Sequence, residues 1–266
     1  MRLYAFEGFR YTRKAGEAGE LAAPPYDQIN DAARDHFQAR SPHQFVHLTR
    51  PLPGPAGDPF RHAAELHRSW LRDGVIGRDV QPALYPYTIE LAGGGRRLGV
   101  MALVGIEDAS VIRPHEQTLD KPLAERLALL EATHADLEPA LLLVEDEGAL
   151  EALLAEDGTG RRPLVEHYDA DGHRHLLYRV EDRERIARYR KLLEDRPAAI
   201  ADGHHRYKVA QRYAGAHGSR PGTAAAAKLA VVTSMSSPAL TIDPIHRALR
   251  QPIDPTRAAS LRQGGG

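Results

Sequence analysis

The sequence predicts an α+β fold, a mixed β-sheet with flanking helices. Three observations carry this. Apolar runs of strand length alternate irregularly with longer helical patterns, two pairs of such runs face each other across glycine-containing turns, and a further run enters a glycine turn that opens directly into a helix. The organisation expected is a single α+β domain over residues 1–250, with hairpin insertions at about 83–180 and an irregular tail at 251–266.

In chain order, residues 1–30 read as loop-rich, with Pro24 and Pro25 stiffening the approach to Asp27. Asp58 and Pro59 read as the N-cap and first-turn proline of a helix whose apolar face is Phe60, Ala63, Ala64, Trp70 and Leu71, closing at Gly74. Residues 83–91 and 97–106 flank Gly93, Gly94 and Gly95 as an antiparallel hairpin. Pro86 brings no N–H to a ladder and so places its strand at a sheet edge. Asp120 opens a helix with Leu123, Leu127 and Leu130 at helical spacing. Residues 140–144 read as a buried strand, 149–155 as a short helix, 164–180 as a second hairpin turning at 169–172, and 182–193 as a charged amphipathic helix. Residues 197–201 then form a strand and 205–216 a helix closing near Gly215 and Gly218. Strands at 228–233 and 239–242 are expected beside 198–201.

Composition narrows the function classes. The 266 residues hold 35 Lys and Arg against 36 Asp and Glu, well mixed, with no basic block to grip a nucleic acid by counterion release. The absence of cysteine removes disulfides, thiolate nucleophiles and cysteine zinc sites, leaving His, Asp and Glu as metal ligands. No export-type apolar region opens the chain and no run of about 18 apolar residues occurs, so no membrane association and a cytoplasmic location are expected.

The chemistry concentrates at Ala201-Asp202-Gly203-His204-His205-Arg206-Tyr207. Gly203 lets the backbone turn tightly, and the helix that follows begins with unpartnered N–H groups carrying positive dipole charge. A phosphate suits that position. Gly203, His204, His205 and Arg206 are therefore the candidate nucleotide-binding residues, Arg206 as a bidentate fork and the histidines as tunable donors. Asp202 supplies a carboxylate for a metal or a proton; the competing reading makes it simply the helix cap. Adjacent histidines on a helix point about 100° apart, so His204 and His205 do not share a zinc ion. Mg²⁺ held through phosphates, water and Asp202 suits the chemistry better.

A second polar segment runs through Arg113, Pro114, His115, Glu116, Thr118, Asp120 and Lys121. Glu116 is the candidate base for a substrate hydroxyl, and Arg113 and His115 are candidate substrate clamps. The competing reading is a solvated loop with Asp120 capping the next helix. Asp27 either accepts a hydrogen bond from a ribose or substrate amine or caps a helix starting at Gln28. Tyr26 and Tyr207 either pack on a base or fill the edge of a core.

The 202–206 turn resembles the nucleotide-binding turn of the ParB and sulfiredoxin superfamily, in which a strand, a glycine turn and a helix start hold nucleotide phosphates. Against the sulfiredoxin pattern Gly-Gly-Cys-His-Arg, the cysteine position falls on His204, so cysteine-based sulfinic acid repair is impossible here. ParB turns carry Gly-Glu-Arg-Arg, whereas this turn has one arginine and no following helix-turn-helix signal. A free serine kinase branch carries Asp-Gly-His turns closer to this one. More closely still, Ala23-Pro24-Pro25-Tyr26-Asp27, Ile112-Arg113-Pro114-His115-Glu116-Gln117-Thr118 and Ile200-Ala201-Asp202-Gly203-His204-His205-Arg206-Tyr207 together resemble one large bacterial family of uncharacterised proteins, across nearly the whole chain. Members of that family tend to continue further, so this chain is expected to be shortened or replaced after about Leu249.

The resemblance implies a ParB/sulfiredoxin-like core with insertions. Taken with the residues, it implies a nucleotide-dependent phosphotransferase that uses ATP or ADP with Mg²⁺ on a small hydroxyl metabolite such as free serine. Glu116 and Asp202 would be catalytic. The alternative is a ParB-like regulatory switch that binds nucleotide without rapid catalysis. The expected partners are the small substrate, the nucleotide and a second copy in a homodimer.

Overall fold

The computed structural model describes residues 1–116, 120–158, 160–217 and 220–241. The sequence expectations for Gln117, Thr118, Gly218, Ile242 and the 251–266 tail lie outside those residues, as does the side chain of Lys121.

The N-terminal part holds β1 (Leu3–Tyr4), β2 (Phe9–Tyr11), α1 (Ala18–Leu21), α2 (Asp31–Arg40), α3 (Val46–Thr49), α4 (Pro59–Arg72) and β3 (Ile76–Arg78). Then come β4 (Tyr85–Glu90), β5 (Arg96–Gly105), β6 (Ile112–Arg113), α5 (Asp120–Thr133), β7 (Ala140–Val144) and α6 (Ala149–Gly158). The chain goes on through β8 (Val165–Tyr168), β9 (Arg174–Leu177), α7 (Arg183–Leu193), β10 (Ala198–Asp202), α8 (His204–Ala216) and β11 (Ala227–Ser234). Among these helices none is long and apolar enough to cross a membrane.

The fold is α+β, as the sequence predicts. Nine strands form one mixed sheet in the order β6-β10-β7-β11-β5-β4-β9-β8, with β1 paired to the far end of β5, and β2 and β3 make a separate ribbon. Its main core gathers Leu142, Val144, Ile200, Val100, Val232 and Tyr189, and a second cluster forms around Leu21, Leu48, Ala63, Trp70 and Leu129. β7, Ala-Leu-Leu-Leu-Val, is buried at every second residue and half-buried between, as suits a strand with neighbours on both sides and cover on both faces. Helix α8 packs on α5, β7 and β11, and α4 packs on α5.

Four sequence expectations are corrected. Pro86 is not at an edge, since β4 lies between β5 and β9. Its carbonyl still accepts from the Tyr178 amide at 2.8 Å and pairing resumes at Leu84 and Val180, so the strand gives up the one bond that the missing donor would make. β11 does not adjoin β10; β7 lies between them. Residues 239–241 form no strand. The first 30 residues, read as loop-rich with no element assigned, contain β1, β2 and α1, elements too short to show a period.

Strand directions decide where the polar groups gather. β6 and β10 run parallel, β7 runs against β10, β11 runs with β7, and β5 runs against β11. The C-terminal ends of β6, β10 and β5 therefore share one end of the sheet with the N-terminal ends of β7 and β11.

Candidate functional site at the start of helix α8

β10 ends at Asp202 and Gly203 turns the chain with φ of 86° before α8 begins. That left-handed angle favours glycine, and so does space: a Cβ would stand 3.1 Å from Cζ and Nε of Arg206 and 3.2 Å from Cα of Ala140. As N-cap, Gly203 offers no side chain to the opening amides of α8. Asp202 is not the cap. Its Oδ2 accepts from Nη2 of Arg206 at 2.5 Å, four residues along.

Arg206 points inward. Its side chain is 7% exposed and lies beneath Gly203, with Nη1 donating to the Pro139 carbonyl, Nη2 to Asp202, and Nη2 standing 3.8 Å from Asp27 Oδ2. Its Nε is buried without a hydrogen-bond partner. The guanidinium thus braces the turn from below and draws Asp27 and Asp202 to one spot.

His204 is also buried, and it ties α8 to the segment after β6. Its Nε2 accepts the amide of His115 at 3.2 Å, and the two rings meet edge to face at 4.4 Å. An accepting Nε2 leaves the proton of the neutral ring on Nδ1, which faces Glu116 Oε2 at 3.6 Å. Burial pushes the His204 imidazole below its ordinary range and His115 adds to this, while Glu116 and Asp202 oppose it. Asp202, Glu116 and Asp27 are each about half exposed. Arg113 is exposed at the end of β6, and His205 is half-buried in the first turn of α8.

Asp27 sits in a 3₁₀ turn, Tyr26–Gln28, and α2 begins later, with Asn30 capping it by accepting from the Ala33 amide at 2.9 Å. Of the two tyrosines, Tyr207 fills the edge of the core. Tyr207 is buried, its hydroxyl accepting from the Glu107 amide at 3.0 Å, and the Tyr26 ring lies against the Arg126 guanidinium at 4.1 Å.

Four further residues at this end of the sheet escape the sequence reading: Arg126, Asp136, Glu138 and Lys228. Glu138 Oε1 accepts from the Tyr26 amide at 2.9 Å, and Oε2 stands 3.7 Å from Nη1 of Arg126, which donates to the Thr49 carbonyl at 2.6 Å. Lys228, 2% exposed, donates to Asp136 and to the Glu138 carbonyl. Burial raises the Glu138 carboxyl above its ordinary range, against the Tyr26 amide and the Arg126 charge, and burial lowers the Lys228 ammonium against the pull of Asp136. A signal for them exists. Arg126 falls on the same helical stripe as Leu123, Leu127 and Leu130, and Lys228 opens an otherwise apolar strand.

Among the described residues, three metal-capable side chains converge not here but at the β8–β9 turn, where ligand atoms of Asp169, Asp171 and His173 lie within 4.8 Å. That group is occupied with bracing its own turn: Asp169 accepts from the amides of Asp171 and His173 and bonds His175, and His173 Nδ1 accepts the Ala92 amide.

Fold and site together define an α+β protein whose polar groups collect at one end of a mixed sheet. Residues 3–263 match the family described as Protein of unknown function (DUF1015), and the chain belongs to that family. The match runs past Leu249, beyond which the sequence reading expected a departure. No curated protein and no solved structure matches the chain.

Proposed function

We propose that this protein is a nucleotide-dependent phosphotransferase that takes ATP or ADP as donor and a small hydroxyl metabolite, such as free serine, as acceptor. The observation that supports it most is the α8 start: a turn only glycine fits, a helix opening without a side-chain cap, and Asp27, Asp202 and Glu116 half exposed around it. The amides of His204, His205 and Arg206 seat the donor's phosphates, favoured by the helix dipole. Arg206 holds the turn in shape from beneath. The half-exposed Asp202 carboxylate suits Mg²⁺, which neutralises phosphate charge when bound. Glu116 takes the acceptor's hydroxyl proton, and the Nδ1–H of His204 orients it. Arg113 and His115 bind the rest of the acceptor, and Asp27, 3.8 Å from Arg206 beside the turn, accepts from a ribose hydroxyl of the nucleotide. The order of strand, glycine turn and helix is what the likeness to the ParB and sulfiredoxin superfamily and its free serine kinase branch rests on.

The test is direct: purified protein with Mg²⁺ and ATP or ADP is offered a panel of hydroxyl metabolites, free serine included. Transfer is expected, with Glu116→Gln lowering turnover by at least about 100-fold while nucleotide affinity stays within about threefold. One observation favours the second reading, a nucleotide-binding switch: Arg206 is committed beneath the turn and so does not reach out to the transferred group. A switch would bind nucleotide, change its oligomeric state and ignore Glu116→Gln.

A further inference from the structure

We propose that Glu138 and Arg126 act as a buried latch that positions Asp27 beside the α8 turn, making the Tyr26–Asp27 segment part of the ligand site. Neither residue touches the proposed ligand; both act through Asp27. The ligand part of this inference rests on the nucleotide reading above, whereas the positioning part stands on contacts alone.

The latch has two grips on Tyr26. Its amide is held by Glu138 Oε1 at 2.9 Å and its ring by the Arg126 guanidinium at 4.1 Å. The next residue, Asp27, is thereby carried to 3.8 Å from Nη2 of Arg206. Glu138 and Pro139 are neighbours in sequence with complementary tasks: the Glu138 carboxylate holds the loop, and the Pro139 carbonyl holds Arg206 and with it the turn. The Glu138 carbonyl is itself fastened by buried Lys228 at 2.6 Å. One short stretch before β7 therefore sets the distance between Asp27 and the start of α8.

The cost of the arrangement argues for position over stability. The Arg126 and Arg206 side chains are 10% and 7% exposed, and each keeps a buried Nε without a partner. The Arg126 to Glu138 separation of 3.7 Å exceeds a hydrogen bond. Buried charges paired this loosely recover little of their desolvation, and apolar side chains would pin a loop to a sheet end more cheaply. What apolar packing would not supply is a fixed amide and ring geometry that aims the following carboxylate.

Hydrogen exchange and nucleotide titration on the full chain test this. In Glu138→Ala the Tyr26 amide loses its acceptor, so its exchange should rise at least about tenfold while amides of β7 and β10 stay protected. The affinity for Mg²⁺-ATP or Mg²⁺-ADP should fall about tenfold, as it should in Asp27→Asn. Glu138→Gln keeps an acceptor for that amide and should stay within about threefold of wild type in both measurements. Should Glu138→Ala not fold, Arg126→Met, which keeps the apolar stem, should likewise speed exchange at Tyr26. The latch is refuted if Tyr26 exchanges at the wild-type rate in a folded variant, or if Asp27→Asn and Glu138→Ala both bind nucleotide as wild type does. A wild type that binds no nucleotide sinks the proposed function and the ligand part of this inference, and Tyr26 exchange still decides whether Glu138 holds the loop.

Discussion

Gly203 meets two demands at once, a left-handed φ of 86° and a guanidinium packed where a side chain would begin. Gly203→Ala should therefore destabilise the protein by about 1–3 kcal/mol, read as a lower urea midpoint with an unchanged slope. A midpoint equal to wild type would mean that the turn relaxes at no cost. The glycine turn was legible in the sequence, because a strand, a turn and a helix follow each other locally, whereas Asp27, His115 and Glu116 were read as candidates in separate segments that only the fold brings beside it. The direction of Arg206 was not. Its partners include the carbonyl of Pro139, 67 residues away, and no local pattern announces that a carbonyl from the stretch before β7 waits beneath the turn. Glu138 and Arg126 were hidden for the same reason, since their importance lies in Tyr26, which is 112 residues from Glu138.

At the scale of elements, helices with a strong end signal or an apolar stripe were readable, the charged α7 with its Asp182 cap included, and α2 was not. Asp58 accepts from the amides of Phe60 and Arg61 ahead of Pro59, and α4 buries Ala63, Ala64, His67 and Trp70 on one face. Removing that cap in Asp58→Ala should cost about 1 kcal/mol, seen in urea unfolding, without altering nucleotide binding, because Asp58 bonds the opening amides of its own helix. α2 entered only as an alternative helix starting at Gln28, its true start and extent unread because it buries no residue and so carries no apolar stripe to count. Both hairpins were found from their turns, yet strand order was not: Pro86 read as an edge residue because its missing donor is visible in sequence, while the pairing that carries on around it to Leu84 and Val180 is not.

Across the whole molecule, burial sets the response to pH. His67, His167 and His204 all have imidazoles pushed below their ordinary range, chiefly by burial. The unfolded chain takes up these protons more readily than the native state, so stability is present above about pH 6.5 and is lost as pH falls through the depressed native values. Glu138 works in the opposite sense at more acid pH: its raised carboxyl binds a proton more tightly in the native state, so its contribution to stability falls as pH climbs above the ordinary glutamate range. Urea midpoints at about pH 5.5 should lie below those at about pH 7.5, and replacing His67 with a neutral side chain of similar size should reduce the difference. Midpoints that rise on acidification would show that these rings are not held neutral.

If the start of α8 seats a nucleotide's phosphates, calorimetric titration of the full chain with Mg²⁺-ATP and Mg²⁺-ADP reads that binding without any need to know the acceptor. One saturable site is predicted, with affinity cut at least about tenfold in Gly203→Ala, where the seat is distorted, and in Asp202→Asn, where the carboxylate charge is lost. No binding of either nucleotide, or binding that both substitutions leave untouched, would contradict it.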